Sequence, residues 1–105
     1  SICTLEFEDQ RPFYDWLMIA VDSEYVGAIE ATWLNEIGIA ILKQYRGNGY
    51  GAQALRLFLK THKPLPAIPA KRSGRWLANI ACGNRASKKF FRDMGFAPIQ
   101  ETWLL

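Results

Sequence analysis

Apolar and polar residues alternate through the first third of this chain and then change period. Residues 2–7 set Ile2, Thr4 and Glu6 against Cys3, Leu5 and Phe7, a period of two that predicts a strand. Residues 8–12 are polar and end in proline, which predicts a turn or short loop. Residues 13–16 fit a helical turn, and residues 17–21 are a short apolar run that predicts a buried strand. Asp22-Ser23-Glu24 reads as a hairpin turn. Residues 25–34, rich in β-branched and aromatic side chains, predict a second long strand, Asn35 a turn, and residues 37–42 a third strand. Together these make an antiparallel meander.

Beyond residue 52 the period lengthens. Ala54, Leu55, Phe58 and Leu59 recur at three- and four-residue spacing opposite Arg56 and Lys60, so residues 53–63 predict an amphipathic helix. Pro64, Pro66 and Pro69 stop it and stiffen a loop that runs to Gly74. Residues 76–82, apolar around Asn79, predict a buried strand that Gly83 breaks. Asn84 suits a helix N-cap, residues 85–94 a short helix with Phe90, Phe91 and Met94 on its apolar side, and Gly95 its stop. Residues 96–105 predict a last strand, bent at Pro98. A strand-helix-strand unit usually crosses over to a parallel neighbour. The expected fold is therefore α+β with a mixed sheet, antiparallel early and parallel across the first helix, in a single domain over residues 1–105.

Half the residues are hydrophobic, enough for a folded core at this length. The longest early apolar run, residues 16–21, is too short to cross a bilayer or to form a secretory signal. Cys3 and Cys82 show no metal-type spacing and are expected reduced and mostly buried, as in a cytoplasmic protein. The net charge of +3 is unevenly distributed: eight acids precede Ile37, none falls between Ile37 and Arg92, and twelve Lys or Arg do. That stretch would present a positive field to a polyanion, or simply a solvated basic face. No aromatic-basic repeat of a nucleic-acid module accompanies it, so nucleic acid is not the expected partner.

The densest chemistry lies where the strand pattern gives way to the helix pattern, at Lys43-Gln44-Tyr45-Arg46-Gly47-Asn48-Gly49-Tyr50-Gly51-Ala52. Three glycines allow a sharp turn and a close ligand. A helix starting just beyond points unpaired N–H groups and a positive dipole end into that turn, an arrangement suited to phosphate. The letters also satisfy the dinucleotide fingerprint, but the acid required about twenty residues on is missing. A plain tight turn before a core helix is the simpler alternative.

Read as Arg46-x-x-Gly49-x-Gly51, the same segment resembles the pyrophosphate loop of the GNAT-type N-acetyltransferase superfamily, between its fourth strand and its long helix. Residues 36–42 look like that fourth strand. Asn84-x-x-Ser87 followed by Met94-Gly95-Phe96 is similar to the family's second signature, and Asn84-x-x-Ser87 is closest to acetylases of ribosomal-protein N-termini. The resemblance spans residues 25–96.

It implies that acetyl-CoA is the cosubstrate and an amine the acceptor. The diphosphate would bind the backbone of Gly47, Asn48, Gly49, Tyr50, Gly51 and Ala52, with Arg46 beside it and Asn84 nearby. The pantetheine arm would pair with the strand edge at Ile39, Ile41 and Leu42. Many relatives protonate the leaving thiolate from a tyrosine whose place is taken here by Phe91; the alternative donor is Ser87, which otherwise satisfies only a local backbone group. Glu36 and Glu30 are the base candidates, each otherwise a surface carboxylate. His62, at a helix end, and Cys82 are expected to be structural, and Trp33, Trp76 and Trp103 core or cleft wall. About ten residues, 8–17, replace the two helices that relatives place between their first strands. The acceptor side is thus expected to be open or completed by another chain, which suits a homodimer and a large acceptor such as a protein N-terminus. A CoA-binding regulatory module without turnover, and an RNA-associated basic domain, are the competing classes.

Overall fold

The computed structural model describes residues 3–11, 14–66 and 74–105. Four strands, β1 (Cys3–Arg11), β2 (Tyr14–Val21), β3 (Glu24–Thr32) and β4 (Ile37–Ile41), pair antiparallel in chain order. Helix α1 (Tyr50–Thr61) follows, and then helix α2 (Arg85–Asp93).

The meander forms as the alternation predicts, and its turns are built from residues that tolerate a left-handed backbone. Asp22 and Ser23, at φ 51° and 68°, reverse the chain between β2 and β3, and Asn35, at φ 62°, does so between β3 and β4. The hairpin at the start is longer than its composition suggests. Residues 8–11, expected as a loop, extend β1, and Tyr14 to Trp16, expected as a helical turn, open β2; Gln10 faces Asp15 and Arg11 faces Tyr14. Backbone pairing satisfies these polar residues as well as apolar ones, so a two-stranded ribbon can outrun the hydrophobic pattern. The bulge between Phe7 and Asp9 absorbs the change in register. Residue 12 at the end of the expected loop, residue 13 of the expected helical turn, Ile2 at the start of the expected first strand and residues 67–73 of the expected proline-rich loop lie outside the described residues.

One face of the sheet builds the core. Leu17, Ile19 and Val21 of β2, Val26, Ile29 and Ala31 of β3, and Ile37 of β4 pack with Ala54, Leu55 and Phe58 of α1 and Phe91 of α2. Val26 joins this odd-numbered set because a bulge between Ile19 and Ala20 shifts the β2–β3 register by one residue. Helix α1 lies over β1, β3 and β4. The opposite face carries Glu6, Met18, Ala28 and Ala40 in one row and Trp16, Glu30 and Gly38 in the next. No helix among the described residues covers it.

The parallel part of the expected sheet is reduced to one contact, where Glu36 bridges Leu77. Past that bridge residues 78–82 form no ladder with β4, although Trp76, Ala78 and Ile80 still pack on the core. Residues 96–105 form no strand either. Trp103 is 87% exposed and Trp33 53%, so of the three tryptophans expected in the core or cleft wall Trp76 is the one that packs on the core. Cys82 is exposed rather than buried, and Cys3 is half-buried; both thiols are free. No helix among the described residues is long and apolar enough to cross a membrane.

Candidate functional site

The turn after β4 is held by hydrogen bonds that leave open the amides from Gly47 onward. Residues Lys43–Tyr45 form a single 3-10 turn, in which the Tyr45 and Arg46 N–H groups bond back to the carbonyls of Leu42 and Lys43. Asn48 Nδ2 donates to the Tyr45 carbonyl at 2.9 Å and closes the loop from within. The Tyr45 hydroxyl donates to Glu24 Oε2 at 2.9 Å and ties the loop to the β2–β3 turn. The hydrogen bond to Glu24, and then the Glu24 charge, raise the Tyr45 phenol above its ordinary pKa.

Gly47 and Gly49 then take φ of 84° and 77°, and α1 begins at Tyr50. The first amide inside the helix ladder is that of Gln53, bonded to the Gly49 carbonyl. The N–H groups of Gly47, Asn48, Gly49, Tyr50, Gly51 and Ala52 therefore have no acceptor among the described residues. The expected loop is present, and the helix starts three residues earlier than the apolar spacing indicated. Gly51 serves a different end from Gly47 and Gly49. It lies inside α1, and a Cβ there would stand 3.3 Å from Phe90 Cε1 and 3.6 Å from Ile41 Cγ1. Its missing side chain lets α2 approach the start of α1.

The edge of β4 can be assigned by parity. Leu42 N donates to the Val26 carbonyl and Thr32 N to the Glu36 carbonyl, so the even residues of β4 bond to β3. The odd residues face outward, as Ile37 N shows by bonding to the Leu77 carbonyl at 2.7 Å. Of the expected edge residues, Ile39 and Ile41 thus point outward and Leu42 does not. The Ile41 carbonyl is taken by Arg46 Nε at 2.9 Å. What remains open among the described residues is the Ile37 carbonyl, both groups of Ile39 and the N–H of Ile41. A cleft follows, closed at the Glu36–Leu77 bridge and opening toward the glycine loop.

Glu36 and Glu30 come together on the face away from the helices. Glu30 lies over Gly38, where a Cβ would stand 2.9 Å from its Oε1. Glu36 is two residues before Gly38 on the same side of β4, and accepts a hydrogen bond from Asn79 Nδ2.

Ser87 stands apart from both, in the first turn of α2. Asn84 Oδ1 accepts from the Ser87 N–H at 3.0 Å, so Asn84 is the cap and the Ser87 hydroxyl makes no hydrogen bond among the described residues. Asn84 serves the helix, and no hydrogen bond among the described residues joins it to the glycine loop. Lys88 Nζ bonds to the Cys82 carbonyl at 2.5 Å and fixes the entry to α2. Phe91 is buried and meets Phe90 and Phe96 edge-on at 5.1 Å, a packing role. His62 stacks on Phe58 at 4.4 Å and caps α1, as a structural residue would. No group of three or more His, Cys, Asp or Glu that could hold a metal lies among the described residues.

The fold has solved counterparts. AAC(6')-Iy, in complex with the bisubstrate analog CoA-S-monomethyl-acetylneamine, superposes with a TM-score of 0.67 over 90% of this chain and 69% of its own, at 14% identity. A transcriptional regulator from Bacillus halodurans C-125 does so at 0.61 over 91% and 67%, at 17% identity. Short local matches also occur to glutamine–tRNA ligases, 89% identical over 18 residues in Bordetella avium and 62% over 26 in Clostridioides difficile. The first spans only 17% of this chain and 3% of that ligase, too little to indicate a shared domain. The acetyltransferase (GNAT) domain family matches residues 2–97. That match covers the whole meander, the glycine loop and both helices, and the chain belongs to the GNAT acetyltransferase family, whose members transfer the acetyl group of acetyl-CoA.

Proposed function

We propose that this chain is an N-acetyltransferase that moves an acetyl group from acetyl-CoA to a primary amine within a ternary complex. One observation carries this reading: six consecutive amides without an acceptor among the described residues, Gly47 to Ala52, follow directly on the open edge of β4. The amides suit the diphosphate, and the Arg46 Nη groups add charge next to it. The Ile39 backbone and the Ile41 N–H suit the amides of the pantetheine arm. The thioester then lies in the cleft toward the Glu36–Leu77 bridge, where Glu30 and Glu36 flank Gly38.

In this reading the acceptor approaches from the uncovered face of the sheet. Glu36 or Glu30 takes the proton of the ammonium. The amine nitrogen forms a bond to the carbonyl carbon to give a tetrahedral intermediate, which loses its second N–H proton to solvent and collapses to the amide as the carbon–sulfur bond breaks. The thiolate receives a proton from Ser87, whose hydroxyl is free of the cap and is restored from solvent. The β1–β2 connection carries no helix among the described residues, which leaves the acceptor side open and favours a bulky amine such as a protein N-terminus. The Asn84-x-x-Ser87 pattern supports the same substrate class, that of acetylases acting on ribosomal-protein N-termini. A homodimer is part of this reading, supported by the exposed Ile99, Trp103, Leu104 and Leu105. So is a cytoplasmic setting, in keeping with two free thiols.

Phe91, in place of the usual tyrosine, supports a second reading in which the domain binds CoA without turnover. Calorimetry with coenzyme A tests the binding that both readings share; absence of heat and of thermal protection rejects both. Thiol release with acetyl-CoA and a panel of amines and peptide N-termini then separates them. Ser87→Ala should lower kcat and leave the coenzyme A Kd unchanged; undiminished turnover removes Ser87 from the mechanism.

A further inference from the structure

Asn35 is the sole buried polar residue among the described residues, at 3% exposure. A turn at φ 62° asks only for a residue that tolerates the left-handed region. The carboxamide does more. Its Nδ2 donates to the Leu65 carbonyl at 2.9 Å, and its Oδ1 accepts from the Leu65 N–H at 2.7 Å. One side chain thus pairs with a backbone unit thirty residues away as a neighbouring strand would. Leu65 itself is 51% exposed, so its side chain is not what seats it there.

The backbone of Asn35 completes the junction. Its carbonyl accepts from Leu77 N at 2.8 Å, and two residues on, Ile37 N donates to the Leu77 carbonyl at 2.7 Å. Asn35 therefore holds three parts of the chain at one point: the β3–β4 turn, the segment leaving α1, and the segment facing the open edge of β4. That point is the closed end of the cleft. We infer that Asn35 is a positioning residue that sets the opening between β4 and residues 78–82, and through it the fit of the acyl donor.

The clamp stands on its own geometry; its bearing on the acyl donor rests on the function proposed above. Amide hydrogen exchange on the full chain tests the clamp and needs no ligand, and coenzyme A calorimetry tests the consequence. Asn35→Gly keeps the left-handed backbone and removes the carboxamide. It should lower protection of the Leu65, Leu77 and Ile37 amides by about ten-fold or more, the scale of one lost buried hydrogen bond, and spare the amides of β2 and β3. The coenzyme A Kd should rise by about the same factor.

Ile19→Val, a remote core change, should lower the melting temperature without altering either readout. If Asn35→Gly does not fold, Asn35→Asp, which keeps the acceptor but sets a carboxylate oxygen against the Leu65 carbonyl, should lower protection of the same amides. Unchanged protection at Leu65 and Leu77 overturns the proposal, as does loss of all protected amides together in both variants. Lost protection with an unchanged Kd overturns its link to the cleft. Failure of the unaltered chain to bind coenzyme A counts against the proposed function, and the exchange pattern still decides the clamp.

Discussion

Gly49 has nothing within 4 Å of where a Cβ would be, so it is required by its backbone alone. Gly49→Ala should cost about 1–2 kcal/mol through its positive φ, without a clash, and weaken coenzyme A binding by tilting the loop amides. A denaturant midpoint and a titration check the two effects. Tyr45 offers a pH signature. Its phenol is hydrogen-bonded to Glu24 and held above its ordinary pKa in the folded chain. A group raised on folding contributes fully below its unfolded pKa, and that contribution is lost as pH rises through the folded value. The melting-temperature advantage over Tyr45→Phe should stay level up to about pH 9 and shrink above about pH 10. Among single residues the sequence was uneven. The glycines declared the loop, because few residues can turn the chain that way. Asn35 read only as a turn, because nothing local reveals that its side chain would find Leu65.

At the scale of elements, α2 depends on its cap. Asn84 Oδ1 holds the Ser87 N–H, so Asn84→Ala should cost about 1 kcal/mol and fray the turn that carries Ser87, lowering kcat more than it raises the acetyl-CoA KM. Steady-state kinetics beside a melting curve measures both. The two helices and strands β3 and β4 were legible because each has its own periodic pattern or punctuation. Where elements depend on partners, legibility failed. Residues 8–11 and 14–16 are polar or short yet pair across a hairpin. Residues 76–82 are apolar enough for a strand, but the neighbouring edge turns away after one bridge. Residues 96–105 have the composition of a strand without a ladder to join. Apolar alternation reports which face is buried, not whether a backbone partner is available. The parity of β4, which selects Ile39 and Ile41 over Leu42, follows from the register with β3 and has no signature in the residue types.

Across the whole molecule, charge follows the layers. Glu6, Glu30 and Glu36 are on the sheet, and Arg56, Lys60, Arg85, Lys89 and Arg92 are on the helices. A ligand with several phosphates should therefore bind more weakly as salt rises, and an uncharged pantetheine fragment should not. Titrations of both across a salt series check this. At about a hundred times its Kd, coenzyme A should add about 2.7 kcal/mol of stability, visible as a higher melting temperature. The bare rim of β4 has another consequence. A row of main-chain donors and acceptors that, under the function proposed above, a small molecule would pair with is equally open to any stretched-out polypeptide, including a sister chain. On that proposal, occupying the rim would do for this fold what a protective end strand does in other sheets, and the molecule should be safest from clumping while its donor is aboard.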